Sequence, residues 1–389
     1  MVPAAAAALV VGGPAIASLS AERVELPPRT AEQLLVSLQD RDVEAWSGTL
    51  TTSVDLGIPG VRSLASAAGG GSGRGLDASM LLEGERTVRV WHDGSGDDAR
   101  ARASIMAERG EFTIVRDGDT TWTYASDTGA VTKAQATDGE NSQGSQGSQA
   151  GTPGGAGQPL SPELLAQSLL LTLEQSSDIS VDGAALVAGR PAYELVVAPR
   201  SADTLIDSLR LAVDAETSLP LRAEVYARGV DEPVIAAAYD DLELGAPDPA
   251  VFAFSPPPGS TVEEVEPMGG LGGSEDPEGD PTGIAALLAG ADVRQVGTSF
   301  DTVLVGRIPA QALALAGSGG GAPDQSDEAD GSDASEAPSA VLGSLPEVSG
   351  DWGQGRLLRG ALFSVVLTDD GRVAVGAVRP QALYAALAS

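Results

Sequence analysis

Cysteine is absent from the 389 residues, and histidine and lysine occur once each, as His92 and Lys133. Without cysteine there is no disulfide framework, no thiolate metal site and no residue for lipid attachment at the N-terminus. Positive charge is scarce: 23 basic against 55 acidic residues give a net charge of −32. A nucleic-acid binder needs a basic patch, so that class is excluded. Catalytic signatures are missing as well. No Gly-x-Ser-x-Gly elbow occurs, and no Gly-rich run ends in Gly-Lys-Ser/Thr, since Lys133 follows Thr132. His92 stands in His92-Asp93-Gly94 and reads as a solvated turn residue, because a base or ligand needs partners within reach. The run Asp324, Asp327, Glu328, Asp330, Asp333 lacks the frame and the terminal Glu of a calcium loop, and reads as a solvating segment. Asp97-Asp98 and Asp240-Asp241 read as turn residues. The expectation is a protein that is not an enzyme, with no cofactor and no metal.

What is present is patterned. Residues 2–19 are apolar and uncharged, with the small-x-small site Ala15-Ile16-Ala17 before Ser18. They read as an export signal or, if retained, as a membrane anchor, which places the rest in the cell envelope outside the cytoplasmic membrane. Thr30 and Gln33 fit a capping box, followed by Leu34, Leu35 and Leu38, so a helix is expected over 30–42. Trp46 to Ile58 alternates through Leu50, Thr52, Val54 and Leu56 and reads as a strand. A Gly/Ser-rich flexible stretch at 67–75 follows. From Thr87 to Lys133 a meander is expected: Val88 with Val90, Phe112 with Ile114, and Trp122 with Tyr124 each share a face. Turns are expected at Asp117-Gly118 and Thr128-Gly129. Residues 135–158 are Gln, Gly and Ser, read as a disordered loop. Ser161-Pro162-Glu163 then starts a helix whose apolar face is Leu164, Leu165, Leu169, Leu170 and Leu173.

The stretch 185–262 holds short alternating runs closed by Gly, Pro or Asp, the pattern of consecutive antiparallel strands. It contains Gly189-Arg190-Pro191-x-Tyr193, then Asp214-x-Glu216-Thr217-x-x-Pro220-Leu221, then Val251-Phe252-x-Phe254-x-Pro256-Pro257. This order resembles the second half of the LolA-like superfamily, the group of outer-membrane lipoprotein carriers and the sigma-E regulatory protein MucB/RseB. Arg in place of Lys, with abundant Ala and Gly, suits a member of actinobacterial type. The resemblance implies a half-open antiparallel β-barrel with two helices on the concave side, mainly β (α+β), over residues 27–262. It implies an exported, non-enzymatic carrier or sensor that binds the acyl chains of a lipid or lipoprotein. Its alternative implication is a MucB/RseB-like regulator that binds an anti-sigma factor or another envelope protein. The inward face would then line the hollow, and Leu50, Val88, Val90, Phe112, Ile114, Trp122, Tyr124, Leu165, Leu169 and Tyr193 are the candidates. Ordinary sheet core is the competing account of the same residues.

Beyond Pro256-Pro257-Pro258 the expected parts are a linker at 263–281 and a small α+β module at 282–389, split by a disordered acidic insert at 317–340. Residues 1–21 are the signal or anchor. Within the module, 303–316 and 373–388 are alike, each reading as a strand followed by a short helix. A hairpin is expected over Leu357–Val378, with its turn at Asp369-Asp370-Gly371.

Overall fold

The computed structural model describes residues 26–39, 43–58, 83–95, 99–107, 110–135, 161–163, 165–166, 176–265, 293–307 and 345–389. The export segment, the stretch at 67–75, the loop after Gln135, Leu169, the linker beyond Val265 and the acidic insert lie outside them.

Helix α1 (Ala31–Gln39) opens on the expected capping box. The Gln33 backbone donates to Thr30 Oγ1 at 3.2 Å, and the Thr30 backbone donates to Gln33 Oε1 at 2.9 Å. A meander follows: β1 (Ala45–Asp55), β2 (Glu83–Asp93), β3 (Arg100–Ala107), β4 (Gly110–Asp117), β5 (Thr120–Ala125) and β6 (Ala130–Gln135). Gly118 and Gly129 take the positive φ that their tight turns require. A second meander comprises β7 (Ser177–Val187), β8 (Arg190–Pro199), β9 (Ile206–Asp214), β10 (Pro220–Ala227) and β11 (Pro233–Leu244). β10 shows why these residues form strands: Leu221, Ala223, Val225 and Ala227 are buried, while Arg222, Glu224 and Tyr226 alternate with them outward.

β1 pairs antiparallel with β11, so the two meanders fuse into one sheet. Its order is β12-β6-β5-β4-β3-β2-β1-β11-β10-β9-β8-β7, where β12 (Thr261–Val265) adds in parallel to β6. The edges β12 and β7 do not pair, so the twelve strands form an open sheet. That sheet is strongly curved. Cα atoms of β7 and β11 come within 8 Å of each other across three intervening strands. In a flat sheet, four strand spacings would separate them by about 19 Å. This is the half-open barrel that the sequence led us to expect.

The cross-strand register assigns the faces. Thr52, Ala237, Ala223, Leu211 and Leu195 lie in one row, and Leu50, Val88, Ile105 and Phe112 lie in the next row on the same face. Leu34 and Leu38 of α1 bury themselves on this face against Tyr193, Leu195, Val197, Leu211 and Val213. Pro162, Glu163, Leu165 and Ala166 are helical and join the same cluster through Leu165 and Ala166. Both helical pieces therefore sit on the concave side. Each fully buried Leu contributes roughly 1.5–3 kcal/mol there.

On the opposite, convex face runs a strap. From β11, in the middle of the sheet, the chain crosses to the β12 edge through a 3₁₀ turn (Pro249–Phe252) capped by Asp248. Phe252 is buried against β3 and β4, and Arg102 donates to the Val251 carbonyl at 3.0 Å.

A second sheet follows, in the order β13 (Arg294–Val296), β14 (Val303–Arg307), β18 (Arg372–Gly376), β17 (Ser364–Thr368), β16 (Gly353–Arg359) and β15 (Glu347–Gly350), packed by α2 (Pro380–Ala388). The two alike segments supply the adjacent strands β14 and β18, and Gly371 closes the β17–β18 turn with positive φ. The helix expected after β14 lies outside the described residues.

Candidate ligand-binding face

The concave face is aliphatic through most of its area. In the N-terminal meander it carries Leu50, Val88, Val90, Ala103, Ile105, Phe112 and Ile114, joined in one cluster with Leu219, Leu221 and Tyr239 of the second meander. Leu50, Val88 and Phe112 are buried, whereas Val90 and Ile114 are half-buried. Tyr193 lies on the same curved face under α1. Its hydroxyl donates to the Pro27 carbonyl at 2.8 Å, and the Arg29 guanidinium stands 5.1 Å above its ring. Leu165 packs onto the Tyr193 cluster. Seven of the ten expected residues thus share this face.

Trp122 and Tyr124 do not. Phe112 pairs with Ala125 and Ile114 with Thr123, so the side chains of Trp122 and Tyr124 project from the convex face. There they pack, tilted, against Phe254 of the strap at 5.5 and 6.2 Å, with Lys133 5.5 Å from the Trp122 ring. The register follows from the two-residue turn Gly118-Asp119, which forces Asp117 opposite Thr120 and fixes every later pair. The turn was visible in sequence. Counting outward from it separates the two aromatic pairs.

One end of the concave face is polar, and the sequence reading missed it. Trp46 Nε1 donates to the Tyr239 hydroxyl at 3.1 Å, which donates to Glu163 Oε1 at 2.9 Å. This chain links β1, β11 and the helical segment. A Cβ at Gly48 would run into the Asp241 carbonyl and the Tyr239 ring, so glycine is what lets β11 approach. Extending the Leu50–Thr52–Val54 alternation back two steps, through Gly48 to Trp46, would have placed Trp46 on this face. His92 is not in a solvated turn. It is a β2 residue opposite Trp46, with ring centroids 4.1 Å apart. Asp240 and Asp241 are likewise strand residues at a β11 bulge, where Thr51 Oγ1 donates to Asp240 at 2.8 Å.

The buried acids are structural. Asp93 takes hydrogen bonds from the Ser95 hydroxyl and backbone and from Arg100. The Ser95 bonds first, and Arg100 after them, outweigh burial and hold its carboxyl below the usual range. Asp214 is fully buried, which alone would raise its pKa. Arg190, donating at 2.5 and 3.1 Å, and the Thr217 backbone and hydroxyl reverse that and lower it. The first two family-like motifs thus meet in space, where Arg190 binds Asp214, while Phe252 and Phe254 of the third fasten the strap to the first meander. Among the described residues no cluster of three His, Cys, Asp or Glu could hold a metal ion.

No family model matches the chain, and no curated protein matches it. Solved structures do. The MucA/MucB complex of Pseudomonas aeruginosa is 18% identical over 92% of this chain and 97% of that chain, with a TM-score of 0.41. A LolA superfamily protein from Nitrosomonas europaea is 10% identical over 58% and 99%, with a TM-score of 0.22. LprF from Mycobacterium bovis is 9% identical over 56% and 96%, with a TM-score of 0.30. MucB and the LolA superfamily are the groups that the motifs in 189–258 resemble. Likeness at these scores carries no argument about individual residues. Chemically, an aliphatic face binds by area, about 0.8 kcal/mol per buried methylene, with little selectivity.

Proposed function

We propose that this chain is a non-enzymatic carrier or sensor that works outside the cytoplasmic membrane and holds the acyl chains of a lipid or lipoprotein. Residues 27–262 form the binding unit, and the concave face lined by Leu50, Val88, Val90, Phe112, Ile114, Leu165 and Tyr193 is the binding surface. One observation carries this. The sheet curves around a largely aliphatic face that, among the described residues, is covered by α1 and by Pro162, Glu163, Leu165 and Ala166, joined to it mainly by apolar contacts, with the Trp46–Tyr239–Glu163 chain and the Tyr193 hydroxyl as polar links. Such a cover can give way to a ligand of the same chemistry. Delivery to the envelope is assigned to residues 2–19, as cleaved signal or retained anchor. Among the described residues no helix is long and apolar enough to cross a membrane.

A second reading is a regulator that binds an envelope protein, with lipid as its signal. The fused C-terminal sheet favours it. A carrier needs only the hollow, whereas a regulator needs a second surface that moves with it, and Leu358, Ala361, Leu362 and Phe363 of the C-terminal sheet share a core with the first sheet. MucB, among the similar structures, was solved bound to MucA.

Mass spectrometry of the natively purified, then delipidated, protein tests the proposal. Co-purified acyl lipid supports the carrier or sensor. Its absence, together with a single envelope protein recovered by pull-down, supports the regulator and overturns the first reading.

A further inference from the structure

The two ends of the concave face differ. At the Trp46 end the face finishes in hydrogen-bonding groups: the Tyr239 hydroxyl, Glu163 and the Trp46 indole N–H. At the other end it finishes in hydrocarbon. Val54, Ile235, Val225, Leu209 and Val197 form its last row. That row runs without a polar break into a cluster completed by the C-terminal sheet, where Leu362 of the β16–β17 corner is buried.

The join is specific. The Ala361 backbone donates to the Leu56 carbonyl at 2.8 Å, Leu205 donates to the Ala377 carbonyl at 2.8 Å, and Arg379 donates to the Asp203 carbonyl at 2.8 Å. Thr204 and Val378 form an antiparallel bridge between the two sheets. The corner also fits closely: a Cβ at Gly360 would stand 3.1 Å from the Leu56 carbonyl and 3.3 Å from Ile58.

Resting on the acyl-binding reading above, we infer that the C-terminal sheet closes one end of the hollow and so dictates how a bound chain lies. Its polar head sits at the Trp46–Tyr239 end, where the hydrogen-bonded chain of indole, hydroxyl and Glu163 makes the face polar. Its tail points toward the corner at 358–363. Size permits this. From Trp46 to Val54 is eight strand steps, about 26 Å. The acyl chains of one bilayer leaflet fill about 15 Å.

The test uses the intact protein and two photoreactive palmitic acids, one with a diazirine at the terminal carbon and one with it beside the carboxylate. After irradiation, labelled peptides are mapped by mass spectrometry. The terminal probe is expected to label 54–58, 225–235 and 358–363 severalfold more than the proximal probe does. The proximal probe is expected to favour the peptides holding Trp46, His92 and Tyr239. A reversed or uniform pattern with both probes bound overturns the orientation and leaves acyl binding standing. Failure of both probes to bind at saturation overturns acyl binding itself.

Discussion

The two faces of the large sheet are built on different principles. The convex face is keyed. Glu194, Arg222 and Glu224 form a charged ladder with contacts of 3.0 and 3.6 Å, and Arg210 stands 5.1 Å over the Tyr226 ring. Burial, and then the Glu224 charge, push the Tyr226 hydroxyl's pKa up, so it stays neutral and donates to Glu224 at 3.2 Å. On the N-terminal meander, Arg100 lies 5.1 Å from Phe252 and Arg102 lies 5.7 Å from Trp91. Each contact fixes a partner and a direction. Among the described residues the concave face has two such sets, the Trp46–Tyr239–Glu163 chain and Tyr193 with Pro27 and Arg29, and is otherwise mostly aliphatic. Keyed contacts define one packing, and aliphatic area accepts any partner of similar shape. On the acyl-binding reading proposed above, the sheet is fixed from outside and exchanges its partner inside.

Substitutions on the two faces should separate stability from binding. The largest loss is expected from Phe252→Ala, which removes a buried ring and frees the strap. It should cost about 3–4 kcal/mol in denaturant unfolding while acyl-probe affinity stays within twofold. A large drop in affinity would mean that the strap belongs to the site. Next comes Asp214→Asn, expected to cost about 2–3 kcal/mol, since it leaves the partly exposed Arg190 without its buried partner. The sign of the pH effect follows from the lowered pKa. Asp214 stabilises the fold above the ordinary carboxylate pKa of about 4, and that contribution is lost as pH falls through its depressed folded value. Wild-type stability should drop over that acid range, and the variant should drop less.

The concave changes should act the other way. Leu165→Asp is expected to weaken acyl-probe binding about tenfold, about 1.4 kcal/mol, and to cost less than that in stability, because Leu165 is only half-buried. If the variant unfolds instead, the helical segment is ordinary core. Tyr239→Phe should show the smallest effect, about 1 kcal/mol, measured by thermal unfolding, from loss of the hydroxyl between Trp46 and Glu163.

The same contrast explains what was legible in the sequence. The capping box at Thr30 and Gln33, the glycine turns and the motifs from Gly189 to Pro258 announced themselves because each rests on a local or residue-specific rule. Arg190 and Asp214 stand in family-like motifs for a structural reason, an ion pair that ties the start of β8 to the β9–β10 turn. The hollow was legible only in part. Aliphatic alternation says that a residue is inside, and says nothing about which inside. Trp122 and Tyr124 alternate as well as Phe112 and Ile114 do, yet they serve the strap. Their assignment needed the register that the Gly118-Asp119 turn sets, and a strap from more than 120 residues further along the chain. Glu163 and Tyr239 were illegible for another reason. Nothing near either residue in sequence points to the other, and only the curvature of the sheet brings them together.

The tryptophans offer the most direct test, because they are divided between the regions. Trp46 lies on the concave face, Trp91 and Trp122 on the convex face, and Trp352 in the C-terminal sheet. Four single-tryptophan variants, with the other three changed to Phe, can be titrated with a fatty acid brominated beside its carboxylate, which quenches an indole on contact. Binding on the concave face predicts strong, saturable quenching of Trp46 and little change at Trp91, Trp122 and Trp352. Quenching of Trp91 or Trp122 with Trp46 unaffected would contradict the account.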